Sequence, residues 1–276
     1  MSDGRAAAPQ RVASIAWLGA ENTLALGATP VGVADAAYYR QRMVSPKLPE
    51  MVPDLGPFWE PNLERLFALR PDLILVDAWS VVDSTKLERI APVERVPAYP
   101  QGMGGWDFAT GTLQRLGVLL EREAIAGQAV ADAERRIALL RRRAELAGAR
   151  PVYVGLIARN GRNITLYGGS GLIGGVLEQL GLRNAHPGPF PGAGTATVGL
   201  DALAREPEAV ILSIDLATAS GSFARTVAGN GLWRSLPSVR LGRVGVLSGF
   251  YPFGGLGSAL RFAEQAVQAL EVGGRG

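Results

Sequence analysis

The chain contains no cysteine and only one histidine in 276 residues. The first absence excludes disulfides, thiolate metal sites and cysteine nucleophiles. The second leaves too few imidazole ligands for a transition-metal site built by the protein itself. Lysine is scarce as well: it occurs only at Lys47 and Lys86, and the other basic residues are arginine. No apolar run approaches the roughly 20 residues that a membrane-crossing helix needs. Met1–Gln10 holds no apolar signal core and reads as a short flexible lead. Either an export signal has been removed, or the protein stays in the cytoplasm.

What remains is the composition of a globular protein, with 47% hydrophobic and 19% charged residues. The length is generous for one core and comfortable for two. The net charge of +3 is not concentrated in a basic patch with interleaved aromatics, as nucleic-acid binding would require. The densest cluster is Arg135, Arg136, Arg141, Arg142 and Arg143, flanked by Glu134 and Glu145. It reads as a solvated helix face, with a phosphate-binding patch as the alternative.

The order of patterns is strand, helix, strand, helix. Arg11–Ala16 reads as a strand and Glu21–Leu26 as a helix stopped at Gly27. Val31–Val33 is a short strand, followed by a Pro- and Arg-rich loop from Tyr38 to Pro57. Asn62–Leu69 is a helix and Leu73–Val76 a continuous apolar strand of the doubly covered, parallel kind. Ser84–Ile90 is a short helix. From Trp106 to Ala147 every signal is helical, and Glu121–Ala147 reads as one long helix stopped by Gly148 and Pro151. Strands resume at Val152–Ile157, Asn163–Tyr167, Ala209–Ile214 and Val244–Leu247. Helices fall at Ser170–Leu180, Leu200–Arg205 and Gly257–Leu270. The pattern predicts an α/β protein of two Rossmann-like lobes: 11–120, a linking helix 121–148, and 149–276.

The two lobes echo one another. Leu63-Glu64-Arg65-Leu66 precedes Pro71-Asp72 and the apolar run Leu73-Ile74-Leu75. Leu200-Asp201-Ala202-Leu203 precedes Pro207-Glu208 and the run Ala209–Leu212. Each is an acid-bearing helix, a Pro-acid turn and a buried strand. Lobe duplication accounts for this, and so does the commonness of helix–strand units.

Three features could carry chemistry. Gly169-Ser-Gly171-Leu-Ile-Gly174 is a literal G-x-G-x-x-G between a strand and a helix. It would suit an NAD(P)-linked oxidoreductase, but the acid expected about 20 residues later is missing and a tight turn explains the glycines as well. His186 lies in a loop after a helix and is either a pocket group or a surface residue; no G-x-S-x-G elbow accompanies it. Aromatic residues gather in loops at strand ends, among them Trp17, Tyr39, Phe58, Trp59, Trp79, Tyr251 and Phe253. Loops at carboxyl ends of strands are where open α/β sheets bind ligands. As a set these rings favour a cleft for a bulky, partly apolar ligand, while each alone could equally be core.

The opening Arg11–Asp35 resembles that of the ferric hydroxamate siderophore-binding proteins of bacterial ABC importers. So do Leu48-Pro, Asp54-Leu-Gly56, Glu60-Pro-Asn-Leu-Glu64, Leu87-x-x-Ile-Ala-Pro92, Asn184-Ala185 and Leu232-Trp-x-x-Leu-Pro237. The likeness runs in register from about residue 11 to 270. It implies two lobes joined by one long helix, with a ligand cleft between them and little closure. It implies a binding protein rather than an enzyme, which captures a ferric siderophore and delivers it to an ABC permease. Haem, cobalamin or a catecholate complex are the alternative ligands within the wider family, and a cytoplasmic helper in siderophore iron handling is a further alternative.

The resemblance also assigns residues. Trp17 matches a pocket tryptophan, and Ser80, beside Trp79, falls at a ligand-facing tyrosine. Arg42 and His186 fall at tryptophans. Tyr251 and Phe253 match two aromatics of the second-lobe loop. Tyr39 and Trp59 are expected to join the ligand contacts. Phe58 departs from the pattern: it stands where hydroxamate binders place an arginine that bonds the iron-coordinating oxygens, so either Arg42 or Arg40 reaches in from the neighbouring loop or the ligand differs from a simple trihydroxamate. Glu64 and Asp201 match the acids that dock on the permease. No cofactor and no protein-bound metal are implied, because iron arrives wrapped in its chelate. The implied state is a periplasmic monomer with its signal peptide removed, and with no nucleic-acid partner.

Overall fold

The computed structural model describes residues 9–97, 99, 102–148, 150–216 and 222–273. The lead at residues 1–8 lies outside them. The chain forms two compact units. The first comprises residues up to Ala98 together with Thr110–Ala131, and the second Tyr99–Ala109 together with Asp132 onward.

The first unit is built on a four-stranded parallel sheet of order β2-β1-β3-β4. Its strands are β1 (Val12–Ser14), β2 (Gly32–Val33), β3 (Leu73–Asp77) and β4 (Val93–Val96). Helix α1 (Trp17–Ala25) links β1 to β2, and α2 (Ala36–Arg42) follows β2. Helix α3 (Leu63–Ala68) leads into β3, and α4 (Ser84–Glu88) leads into β4. Asn62 caps α3, its side chain accepting from Arg65 N at 2.8 Å, and Asp83 caps α4 by accepting from Thr85 N. Ala13, Ile15, Leu55, Leu66, Ile74 and Val76 form the core. The apolar run of β3 is buried in the middle of this parallel sheet, and α1 packs against β1 and β3.

Helices α5 (Gly105–Leu119) and α6 (Glu123–Leu146) are shared by the two units, the division falling at Ala109/Thr110 in α5 and Ala131/Asp132 in α6. The helical signal from Trp106 to Ala147 is two helices, the second lying within the helix expected at Glu121–Ala147. The break is at Glu121, which adopts φ +51.

The second unit carries a five-stranded sheet of order β7-β6-β5-β8-β9. Strands β5 (Val152–Ile157), β8 (Val210–Ile214) and β9 (Val244–Leu247) are parallel. Strands β6 (Asn163–Tyr167) and β7 (Thr195–Gly199) add an antiparallel flank. Helix α7 (Leu172–Gln179) follows β6, and a 3-10 turn (Leu200–Arg205) precedes β8. Three short helices, α8 (Ser222–Val227), α9 (Gly231–Ser235) and α10 (Pro237–Arg240), lead to β9, and α11 (Leu256–Gly273) follows it. Tyr153, Ile164, Leu166, Leu203, Ile211 and Trp233 are in its core.

The echo has a structural counterpart. In each unit the strand after the acid-bearing segment, β3 or β8, lies between the unit's first strand and its last parallel strand. The segments differ in winding: Leu63–Ala68 is α-helical and Leu200–Arg205 is 3-10.

Two arginines of the α6 cluster reach across to α11 within the second unit, while Arg135 and Arg141 pair with Asp132 and Glu145 on α6 itself. Arg136 pairs with Glu264, and Arg143 makes a two-pronged pair with Glu271 at 2.9 and 2.8 Å, both on α11. The pairing holds the Arg143 guanidinium above its usual range, through the hydrogen bonds to Glu271 first. Exposed pairs of this kind contribute little singly, and a bidentate arginine adds orientation.

Candidate functional site

In the first unit the strand order reverses between β1 and β3, the position at which open parallel sheets present a crevice beyond their carboxyl ends. Trp17 follows β1 and Trp79 follows β3. Trp17 is half-buried, and its Nε1 donates to the Ala34 carbonyl at 3.2 Å. Trp79 is 48% exposed, and its backbone nitrogen donates to Asp77 Oδ1 at 3.1 Å. Burial raises the Asp77 carboxyl above its ordinary value, against the pull of the Trp79 and Ser80 backbone donors and of Arg95. Ser80 is half-buried, its hydroxyl 3.4 Å from Val82 N.

The loop after β2 is shaped by two aspartates that the sequence reading did not single out. Asp35 sits at φ +50, a left-handed conformation that Asp tolerates better than bulkier residues. Its Oδ2 accepts from Phe58 N at 3.1 Å. Asp54 accepts from Ala37 N at 3.0 Å and Gly56 N at 2.9 Å, which ties the incoming loop to the start of α2. Burial raises the Asp35 carboxyl, the Phe58 N–H lowers it, Asp54 raises it and Arg42 lowers it. The result is a loop that holds Phe58 and Trp59 outward, 48% and 56% exposed, with rings edge to face at 4.9 Å.

Tyr39, expected among the ligand contacts, is a correction. It is fully buried, its hydroxyl donates to the Pro46 carbonyl at 3.2 Å, and its ring lies edge-on to Trp17 at 5.8 Å. It supports the tryptophan from beneath. Its neighbour Tyr38 is exposed, because adjacent helical positions face in different directions. Arg40 is likewise occupied: its guanidinium donates to the carbonyls of Pro49, Glu50 and Val52 and pairs with the Glu50 carboxylate. Arg42, two residues further in the same last turn, lies over the Tyr38 ring at 5.3 Å.

The second unit gathers a separate cluster. Phe253 packs on Tyr251 at 5.6 Å and on Tyr167 at 5.9 Å. The Tyr167 carbonyl accepts from Asn184 Nδ2 at 2.9 Å, and Asn184 Oδ1 accepts from His186 N at 3.0 Å. His186 meets Phe190 edge to face at 5.2 Å. The structure thus joins the predicted His186, Tyr251 and Phe253 through Tyr167 and Asn184. Burial, helped by Arg205, lowers the His186 pKa and favours a neutral ring at pH 7. Burial pushes the Tyr167 phenol up to about 12.

The glycine motif serves packing. Gly169 adopts φ +56, and a β-carbon on Gly174 would collide with the Gly169 carbonyl oxygen. One on Gly171 would meet the Ala193 oxygen, and one on Gly175 the Trp106 nitrogen. The close approach of this chain's own backbone accounts for the glycines without a dinucleotide. Among the described residues no group of three or more His, Cys, Asp or Glu could hold a metal ion, and no helix is long and apolar enough to cross a membrane.

Glu64 and Asp201 are both exposed, each in the first turn of the segment before a buried strand.

The family model described as periplasmic binding protein matches residues 12–249. The chain belongs to this family. Over 272 residues it is 30% identical to the iron(3+)-hydroxamate-binding protein FhuD of Escherichia coli (strain K12), covering 98% of this chain and 90% of that protein. The structure of the siderophore-binding protein FhuD from Vibrio cholerae, bound to Fe3+-Desferal, superposes with a TM-score of 0.87 at 30% identity, over 96% of this chain and 98% of that one. The petrobactin-binding protein YclQ of Bacillus subtilis shares the fold at a TM-score of 0.76 and 19% identity, over 96% and 93% of the two chains. Membership places the chain among binding proteins rather than enzymes. The two-lobed α/β fold expected from the sequence is the family's fold.

Proposed function

We propose that the chain captures a ferric siderophore, of hydroxamate or mixed-oxygen type, and hands it to an ABC permease in the periplasm. The observation that carries this reading is the full-length similarity to a Desferal-bound protein at a TM-score of 0.87. The exposed rings of Phe58, Trp59 and Trp79, with the half-buried Trp17, supply apolar area at little conformational cost. Ser80, His186, Tyr251 and Phe253 are the further contacts, His186 acting as a neutral ring. The protein needs no metal ligands of its own, because the chelate's oxygens already enclose the iron. Glu64 and Asp201 are the docking acids, and the working form is a monomer.

Intrinsic tryptophan fluorescence tests the reading. The panel is ferric desferrioxamine, a ferric catecholate, haem and cobalamin, with iron-free siderophores as controls and NADH as a comparison. Saturable quenching by one ferric siderophore class is the expected result. Quenching by haem or cobalamin alone would move the protein to a different ligand, and no response to any chelate would overturn the proposal.

A further inference from the structure

We infer that the second unit carries a basic face beside Asp201 that rests on the anionic headgroups of a phospholipid bilayer during delivery. The inference rests on the delivery reading above, which brings Asp201 to a membrane-embedded permease, and it adds a second partner, the lipid around that permease.

Four arginines far apart in sequence come together here. Arg159 and Arg162 lie in the turn between β5 and β6, Arg225 is on α8 and Arg234 on α9. The turn is tied to both helices: Asn230, between them, donates from Nδ2 to the Gly161 carbonyl at 2.7 Å, and a β-carbon on Gly161 would press on Asn230 and on the Thr226 carbonyl oxygen. The turn is tied to the docking segment as well. Leu200 N donates to the Arg162 carbonyl at 2.8 Å, and the 3-10 turn that bears Asp201 packs against α9. All four arginines are exposed, and their guanidiniums make no ion pair among the described residues. The acids that answer Arg150, Arg183 and Arg243 are Glu206 and Glu208. Acids are scarce around the four: residues 146–177 contain none, and residues 209–263 contain only Asp215, whose Oδ2 accepts from Phe223 N. Leu232, 42% exposed, adds apolar surface on α9.

Unpaired arginines on three separate segments do not present the fixed fork that a single carboxylate partner selects. They suit a plane of phosphates, which attracts each of them by about fivefold in affinity. An exposed leucine among them suits the headgroup boundary. On this face the acid meets the permease and the arginines meet the lipid.

The test is flotation of the full chain with vesicles of phosphatidylcholine alone, or of equal parts phosphatidylcholine and phosphatidylglycerol, without siderophore or permease. Wild type should float only with the phosphatidylglycerol vesicles and come off at high salt. The variant carrying Arg159→Gln, Arg162→Gln, Arg225→Gln and Arg234→Gln should bind them about a hundredfold more weakly or worse, with unchanged quenching by ferric desferrioxamine. Wild-type binding that ignores lipid charge, no binding to phosphatidylglycerol, or a variant that floats like wild type would overturn the proposal. So would an uptake defect of the variant that is equally large with a permease in phosphatidylcholine alone, because the arginines would then serve the permease protein. If the fourfold variant does not fold, the turn pair and the helix pair are replaced separately, each with an expected loss of about thirtyfold, and two folded pairs without loss overturn the proposal. Failure in flotation leaves siderophore capture intact. A wild type that floats with anionic vesicles but is quenched by no chelate loses the siderophore reading alone.

Discussion

The carboxylate of Asp35 and the backbone nitrogen of Phe58, 23 residues apart, meet at 3.1 Å. This bond, with those that Asp54 makes, holds the loop that displays Phe58 and Trp59. Asp35→Ala removes the acceptor and places a residue intolerant of φ +50 there. The expected loss is about 1–3 kcal/mol of stability, together with weaker ligand quenching. Asp35→Asn keeps an acceptor and tolerates the backbone, so it should stay within about 1 kcal/mol of wild type. Chemical denaturation of the two variants checks this. Equal losses would show that the bond does not hold the loop.

Tyr39 separates support from contact. Tyr39→Phe leaves the ring beneath Trp17 and frees the Pro46 carbonyl, at a cost of about 1 kcal/mol. Its ligand affinity should match wild type. Tyr39→Ala opens a cavity under the tryptophan, with an expected loss of about 3–5 kcal/mol and a changed emission spectrum. A large affinity loss in Tyr39→Phe would restore the residue to the ligand contacts.

The inward orientation of Tyr39 has no signal in the sequence, for a physical reason. Buried strands such as Leu73–Asp77 and Val152–Ile157 announce themselves as apolar runs. Helix α2 does not: it lies in a Pro- and Arg-rich stretch, and Asp35 before it makes no side-chain cap. Without the helix, Tyr38 and Tyr39 cannot be sorted into outward and inward. Strand β4, Val-Glu-Arg-Val, and strand β7, Thr-Ala-Thr-Val-Gly, are short and weakly apolar and borrow their order from β3 and β6. The break at Glu121 has neither Gly nor Pro to mark it. The exposed Trp59 and Trp79 were legible, because aromatic residues in loops at strand ends are an informative pattern. Asp35, Tyr167 and Asn184 were not, since their roles depend on partners distant in sequence.

Glycine substitutions test the packing account of the G-x-G-x-x-G segment. Gly174→Ala drives a β-carbon into the Gly169 carbonyl and should cost about 3 kcal/mol or more. Gly127→Ala is the control: a β-carbon there meets nothing within 4 Å, and it lies inside α6. It should gain about 0.5–1 kcal/mol from helix propensity. Thermal melts of both give the signs. A neutral Gly174→Ala would reopen the question of why the glycines are there.

Asp77 makes a pH prediction. Burial raises its carboxyl above 3.8, so the folded chain holds this proton more tightly than the unfolded chain. Between 3.8 and the raised folded value the folded state binds more protons, and this contribution to stability falls as pH rises. Above the window the ionised carboxylate carries the full desolvation cost. Asp77→Asn removes it while keeping an acceptor for Trp79 N. The variant should be the more stable at pH 7, with an advantage that shrinks as pH falls toward about 4. Melts across that range check it, and an advantage that grows on acidification would contradict the burial account.

Glu64 and Asp201 offer the sharpest separation of capture from delivery. Both are exposed. Charge reversal at such positions usually changes stability by about 0.5 kcal/mol or less, with up to about 1 kcal/mol more at Glu64, where an acid favours the first turn of α3. Rim charges steer and orient a complex more than they tighten it. Glu64→Arg with Asp201→Arg should therefore bind a ferric siderophore within about twofold of wild type, yet fail to drive uptake through a reconstituted permease. Loss of siderophore binding in the double variant would place these acids in the ligand site. Retained binding with normal uptake would remove them from the docking surface, and would move the search for it to other exposed charges.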